Sequence, residues 1–124
     1  MISYMKQHTD LFKAFSDATR VRLLNLLAQR EHCVCEFQDI LHVPQSKISR
    51  HLAYLRRSGL VQTRREGKMI FYALSPSTNA VHTSLLRCLR SCFTEIRFLQ
   101  RDLKRDRQSK LAIKQTGKCS SCKN

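Results

Sequence analysis

The chain has 124 residues, 42% of them apolar, enough for one domain that buries roughly two-thirds of its unfolded surface on folding. Three Gly and two Pro leave few places for tight turns, so an all-β fold is excluded and most of the chain is expected to be helical. Lys and Arg number 23 against nine Asp and Glu, and the net charge of +14 points first to nucleic acid, with a membrane surface as the rival partner.

Residues 2–15 carry Met5, Leu11, Phe12 and Phe15 as a loose helical stripe, after which Ser16-Asp17 offers an N-cap. A second helix is expected from Ala18 to about Arg30, with Ala18, Val21, Leu24, Leu27 and Ala28 on one face. Next come Cys33-Val34-Cys35, a short helix from Glu36 to Leu41, a break at His42-Val43-Pro44, and a helix from Gln45 to Ser58. Helix, short turn, helix is the layout of a DNA-binding motif.

In the second of these helices Ile48, Leu52 and Leu55 share a face, which turns Ser46, Arg50 and Arg57 to the opposite side, flanked by Lys47 and Ser49. Arg donates twice to guanine and Gln twice to adenine, so Arg50 and Gln45 are the base-reading candidates, with Ser46, Lys47 and Ser49 assigned to phosphate. His51 falls about 60° from the core face. Ser58-Gly59-Leu60 supplies a helix stop.

From Leu60 to Leu74 the period changes to that of a β-hairpin, turning at Glu66-Gly67. Its tip holds Arg64, Arg65 and Lys68, and beside the helix pair it would be a wing that touches phosphate or minor groove. Ser75-Pro76-Ser77 ends the strand. One long helix is then expected from Thr78 to Leu103, with Val81, Leu85, Cys88, Leu89, Cys92, Ile96, Leu99 and Leu103 in a stripe too long for one small domain to cover. That stripe suggests a homodimer. Basic residues dominate from Gln100 onward, so residues 1–106 are expected to form the winged helix-turn-helix and dimerisation domain and residues 107–124 a basic, mobile tail.

No apolar stretch approaches the roughly 20 residues of a spanning helix, and Met1-Ile2-Ser3-Tyr4-Met5-Lys6 lacks the apolar core of a signal peptide. A cytoplasmic protein with no membrane partner is expected, and its six cysteines should be reduced. They fall into the pairs Cys33/Cys35, Cys88/Cys92 and Cys119/Cys122, spacings that suit soft ions or redox chemistry. Cys33 and Cys35 are also small enough to be plain core residues. On a helix, side chains two apart do not meet, so a shared ion there requires the backbone around Val34 to leave helical geometry. Cys88 and Cys92, at i and i+4, suit packing in a dimer core better than chelation, and a lone C-x-x-C at Cys119/Cys122 is a weak zinc signal. No phosphate loop, nucleophile elbow or thioredoxin-like framework supports an enzyme.

The order helix, helix, short helix, reading helix, wing and long helix resembles the ArsR/SmtB family of dimeric winged helix-turn-helix repressors, and within it the arsenic-responsive branch. The likeness runs from about Asp10 to Pro76. It rests on Phe15-Ser16-Asp17-Ala18-Thr19-Arg20, Cys33-Val34-Cys35-Glu36, Lys47-Ile48-Ser49-Arg50-His51-Leu52-Ala53, Ser58-Gly59-Leu60 and Gly67-Lys68. The resemblance implies a mainly helical fold with a β-hairpin wing, a homodimer on palindromic double-stranded operator DNA, and release when arsenite or antimonite binds Cys33 and Cys35, with no organic cofactor. It also keeps His51 among the DNA-contacting candidates. The same fold sensing Cd, Pb, Zn or thiol oxidation is the alternative.

Two positions depart from the family pattern. A third cysteine often follows the second by three residues, and here that position is Gln38; the usual hydroxyl residue that opens the reading helix is Pro44. Arsenite forms three bonds, so a third ligand is expected from Cys88, Cys92, Cys119 or Cys122, from a retained hydroxide or from an external thiol.

Overall fold

The computed structural model describes residues 2–116, with side chains from 4 to 110. Its elements in chain order are α1 (Ile2–Ala14), α2 (Ala18–Leu27), β1 (His32–Cys33), α3 (Val34–Leu41), α4 (Gln45–Arg57), β2 (Val61–Glu66), β3 (Met69–Leu74), α5 (Ala80–Ser91), a 3-10 turn (Phe93–Glu95) and α6 (Arg97–Thr116). This is a mainly α architecture with a small antiparallel sheet, the winged helix-turn-helix.

α2 is the central element. Asp17 stands at its N-cap in extended geometry and accepts the Arg20 N–H at 3.1 Å, which satisfies one of the helix's open donors. Leu23, Leu24, Leu26 and Leu27 are buried, against Phe37 and Ile40 of α3 and Ile48, Leu52 and Leu55 of α4 in one cluster. Of the expected stripe on α1, Leu11 is buried together with Ala14, while Met5 and Phe12 face outward.

α3 closes on His42, whose left-handed backbone (φ 55°, ψ 42°) lets its N–H reach the Gln38 carbonyl at 3.1 Å. A non-glycine residue there costs about 1 kcal/mol, and the bend it makes sends the chain through Val43 into α4. Pro44 takes the N-cap of α4 without a side-chain hydrogen bond; its carbonyl accepts from Lys47 and Ile48. α4 stops at Gly59 (φ +82°), and the chain turns so that Leu60 is fully buried.

The hairpin pairs Val61 with Leu74 through Glu66 with Met69 and turns at Gly67 (φ +61°) and Lys68. The sheet, however, has three strands in the order β1-β3-β2, because His32 lies opposite Tyr72 and Cys33 opposite Phe71. Two residues are too short to show a period of two, so this strand leaves no pattern in the sequence.

The expected single helix from Thr78 to Leu103 is corrected to two. α5 ends at Ser91, the 3-10 turn follows, and Ile96 is extended (φ −92°, ψ 103°) before α6 begins. α6 turns back onto its own protomer: Asn25 Nδ2 donates to the Leu99 carbonyl at 3.2 Å, Arg22 pairs with Asp102, and Arg105 donates to the Ile40 carbonyl at 3.1 Å. Leu99 is therefore buried without a second chain, and Leu103 packs on the same core. Neither Gly nor Pro marks the break. Helical backbone continues through residue 106 to Thr116, and the Cys119/Cys122 pair lies outside the described residues.

Candidate nucleic-acid interface and thiol site

Gln45, Ser46, Lys47, Ser49 and Arg50 are all exposed on α4, opposite the buried Ile48, Leu52 and Leu55. Arg56 and Arg57 are exposed on the last turn, and Arg56 was not among the residues singled out from the sequence. His51 departs from that set. It is buried between α4 and α2, with Nδ1 3.4 Å from Arg20 Nη1 and Nε2 3.7 Å from Asp17 Oδ2. Burial pushes its pKa down; Asp17 opposes this, and Arg20, Arg50 and Lys47 add to it. Arg20 is itself fixed by the Lys13 and Ala14 carbonyls and stacks over Tyr54. His51 thus serves the joint between α4 and α2.

The wing tip divides in the same way. Arg65 and Lys68 are open to solvent. Arg64 is bound by both carboxylate oxygens of Glu31, donates from Nη1 to Glu66 Oε2 at 2.8 Å, and lies over Phe71 at 4.5 Å. Glu31 foremost, then Glu66, raises the Arg64 pKa, and Arg64 in turn holds Glu31 below the usual carboxylate range. Its charge is matched within the chain by Glu31 and Glu66, and the Glu31 pair clips the wing to the residue before β1.

Cys33 ends β1 and is the N-cap of α3, with φ −94° and ψ 165°; Cys35 is the second residue of the helix. The extended backbone at Cys33 brings the two sulfurs to 2.7 Å, although helical residues two apart would diverge. The departure from helical geometry that a shared ion requires thus lies at Cys33, where helix gives way to strand. Cys33 is buried and Cys35 is half-exposed.

A buried polar network sits directly behind this pair. Glu36 Oε1 accepts the Cys33 N–H at 3.1 Å, and its Oε2 accepts Arg30 Nη2 at 2.6 Å. The same Nη2 reaches Asp106 Oδ1 on α6 at 2.7 Å. His32 is 0% exposed; Nε2 is 2.9 Å from that Asp106 oxygen and Nδ1 is 2.9 Å from the Arg30 carbonyl. Both ring nitrogens are thus engaged. Burial opposes the Asp106 charge, but the His32 hydrogen bond and the charges of His32 and Arg30 outweigh it and hold the carboxyl below its usual range. His32, Glu36 and Asp106 converge within 4.8 Å, and the cation they surround is Arg30.

Cys88 and Cys92 lie one turn apart at the end of α5, half-buried and exposed. Burial, then the Cys92 hydrogen bond and charge, pushes the Cys88 thiol up.

A helix with an exposed polar face, joined to a basic wing, is the layout of a winged helix-turn-helix. Comparison with known proteins agrees. Residues 17–63 match the family described as bacterial regulatory protein, arsR family. An arsenic resistance transcriptional regulator of Pseudomonas putida is 48% identical over 68 residues, 54% of this chain and 59% of that protein. The chain thus spans little more than half the length of that relative. The transcriptional activator HlyU of Vibrio cholerae is 40% identical over 79 residues, 64% of this chain and 73% of that protein. The HlyU structure superposes with a TM-score of 0.65 at 33% identity, over 77% of this chain and all of that one. A Mycobacterium bovis domain described as a homodimeric winged helix-turn-helix gives 0.63 at 25% identity, over 75% of this chain and 81% of that one. The chain belongs to the arsR family of bacterial regulatory proteins. Among the described residues no helix is long and apolar enough to cross a membrane.

Proposed function

We propose that this chain is a cytoplasmic, homodimeric, metalloid-responsive repressor that holds operator DNA through α4 and the wing and lets go when trivalent arsenic or antimony binds Cys33 and Cys35. The observation that carries the reading is the pair of sulfurs 2.7 Å apart at the start of α3, one of them, Cys33, at the end of a strand paired with the wing. The likeness to an arsenic resistance regulator supports the choice of ion.

The chemistry is ligand exchange. Arsenous acid gives up two hydroxyls as water, using the two thiol protons, and forms two As–S bonds. Its third position keeps hydroxide or takes a thiol from Cys88, Cys92, Cys119 or Cys122 or from solution. An ion seated between the sulfurs changes the spacing and charge at Cys33, which is at once the cap of α3 and the partner of Phe71 in β3. α3 spans only eight residues before the His42 turn, so a tilt at its start reaches α4, while β1 carries the same displacement to the wing.

On DNA, Arg50 and Gln45 read bases, Ser46, Lys47 and Ser49 hold phosphate, and Arg65 and Lys68 extend the contact. The second copy covers the outward Phe12 of α1 with the half-buried Val81 and Leu85 of α5, an apolar cleft left open in one protomer. The description of the Mycobacterium bovis domain as homodimeric supports this.

The test is fluorescence anisotropy of the reduced protein on DNA upstream of its own reading frame, titrated with arsenite, antimonite, Cd, Pb, Zn and peroxide beside a Cys33→Ser/Cys35→Ser variant. Release of the wild type by arsenite at the lowest concentration, with the variant staying bound, is the expected result. Earlier release by a divalent ion or by peroxide, or a variant that still responds, would overturn it.

A further inference from the structure

The network behind the thiols ends on α6, which packs mainly on α2 and α3. Asp106 of α6 accepts from Arg30 and from His32 on a single oxygen, and the two donors sit on either side of Glu31, directly before Cys33. Arg30 Nη2 bridges Asp106 and Glu36 at 2.7 and 2.6 Å, so Glu36 is aimed by a guanidinium that Asp106 holds. Glu36 in turn grips the Cys33 N–H, which keeps Cys33 extended and its sulfur beside that of Cys35. His32, the residue before Cys33 in β1, is fixed from the same oxygen and stacks on Phe37 with ring centroids 5.0 Å apart.

We infer that Asp106 is a positioning residue for the thiol site: by holding Arg30 and His32 it keeps Glu36 on the Cys33 backbone and so sets the affinity of the Cys33/Cys35 pair for a trivalent metalloid. The inference rests on the function proposed above. Groups that orient ligands without touching the ion are worth roughly 10- to 100-fold in affinity, because a ligand free to wander must be ordered again on binding.

The structure contains its own control. Asp102, one turn earlier on α6, takes Arg22 Nε and Nη2 at 2.8 and 3.0 Å, and its side chain is buried as well. Arg22 leads to the Leu41 carbonyl at the far end of α3, not to the thiols. Asp102 therefore docks α6 without serving the site.

Arsenite is titrated into full-length reduced wild type, Asp106→Asn, Asp102→Asn and Cys33→Ser/Cys35→Ser, following near-ultraviolet absorption of As–S bonds, with thermal melting and inducer-free DNA binding measured alongside. Asp106→Asn should weaken the Cys33/Cys35-dependent binding roughly 10- to 100-fold. Asp102→Asn should leave it within about twofold although both variants melt earlier, and inducer-free DNA affinity should stay within about threefold. Should Asp106→Asn fail to fold, Arg30→Gln breaks the bridge from its other end and must show the same weakening. Equal weakening by Asp102→Asn, or none by Asp106→Asn, would reduce Asp106 to a docking contact and overturn the inference alone. Absence of Cys33/Cys35-dependent binding in the wild type would overturn it together with the proposed function.

Discussion

Cys33 lies opposite Phe71 in the β1–β3 ladder, and on the other side of β3 Phe71 lies opposite Arg64, whose guanidinium covers its ring. A thiol at the start of the helix-turn-helix and the basic strand of the wing thereby share one sheet, separated by the single strand β3. Glu31 closes the loop by binding Arg64.

The wing residues should separate in their response to salt. Arg65→Ala and Lys68→Ala each remove an unmatched charge and should reduce the slope of log affinity against log salt by about one. Arg64→Ala removes a charge already offset by Glu31 and Glu66 and should change the slope by clearly less. Operator titrations over a range of salt decide this; three equal slopes would contradict the division of roles.

On α4 the distinction is between sequence preference and general affinity. Arg50→Ala should cost about 1–3 kcal/mol on the operator and relax the preference at one base pair, whereas Lys47→Ala should weaken all sequences alike. His51→Gln should alter stability and leave base preference intact, because the ring is turned to Arg20 and Asp17. Binding to operators with single base changes distinguishes the three.

Stability should fall on mild acidification because of His82. Its ring is buried, Nδ1 accepts the Thr78 N–H at 3.3 Å, and Nε2 has no hydrogen-bond partner. Burial depresses its pKa, so the unfolded chain takes up the proton first and the folded state loses ground as pH drops below about 6.5. His51 is shifted in the same direction and adds to the slope. Asp106 acts lower: its depressed pKa stabilises the fold above about pH 4, and that contribution is lost as pH falls further through the folded value. Urea midpoints measured from pH 7.5 to 5 should decline, and His82→Gln should flatten the decline; an unchanged slope in that variant would locate the effect elsewhere.

Phe37 is fully buried, so Phe37→Ala should cost about 3–5 kcal/mol, a large share of the stability of a domain this size. Phe98, 47% exposed between Arg22 and Arg101, should cost under about 1 kcal/mol when cut to Ala. Thermal melts of the two variants would show whether the core is centred on α2, α3 and α4.

Signals carried by neighbours in the chain were readable without a structure. Asp17 caps α2, Ile48, Leu52 and Leu55 turn inward at helical spacing, Gly59 stops α4, and Gly67 turns the hairpin. These follow from backbone geometry and helical period, which act over a few residues. The exposed face of α4 follows from the same period once its buried face is known.

What lay beyond reach was decided by contacts between distant segments. β1 is too short to have a period, and only its pairing with β3 makes it a strand. The break between α5 and α6 has no Gly or Pro, and it exists because the second half gains burial on α2 and α3 that a straight helix would forgo. Arg30 and Asp106 are 76 residues apart, and neither spacing nor composition announces that they meet. The partners of His51 and Arg64, Asp17, Arg20 and Glu31, come from other elements, and no spacing in the sequence announces them. The sequence by itself determined the local elements, the basic character and the spacing of the thiols. The tertiary structure alone decided which charges are left for DNA and what stands behind the thiols, because an ion pair is set by proximity in space.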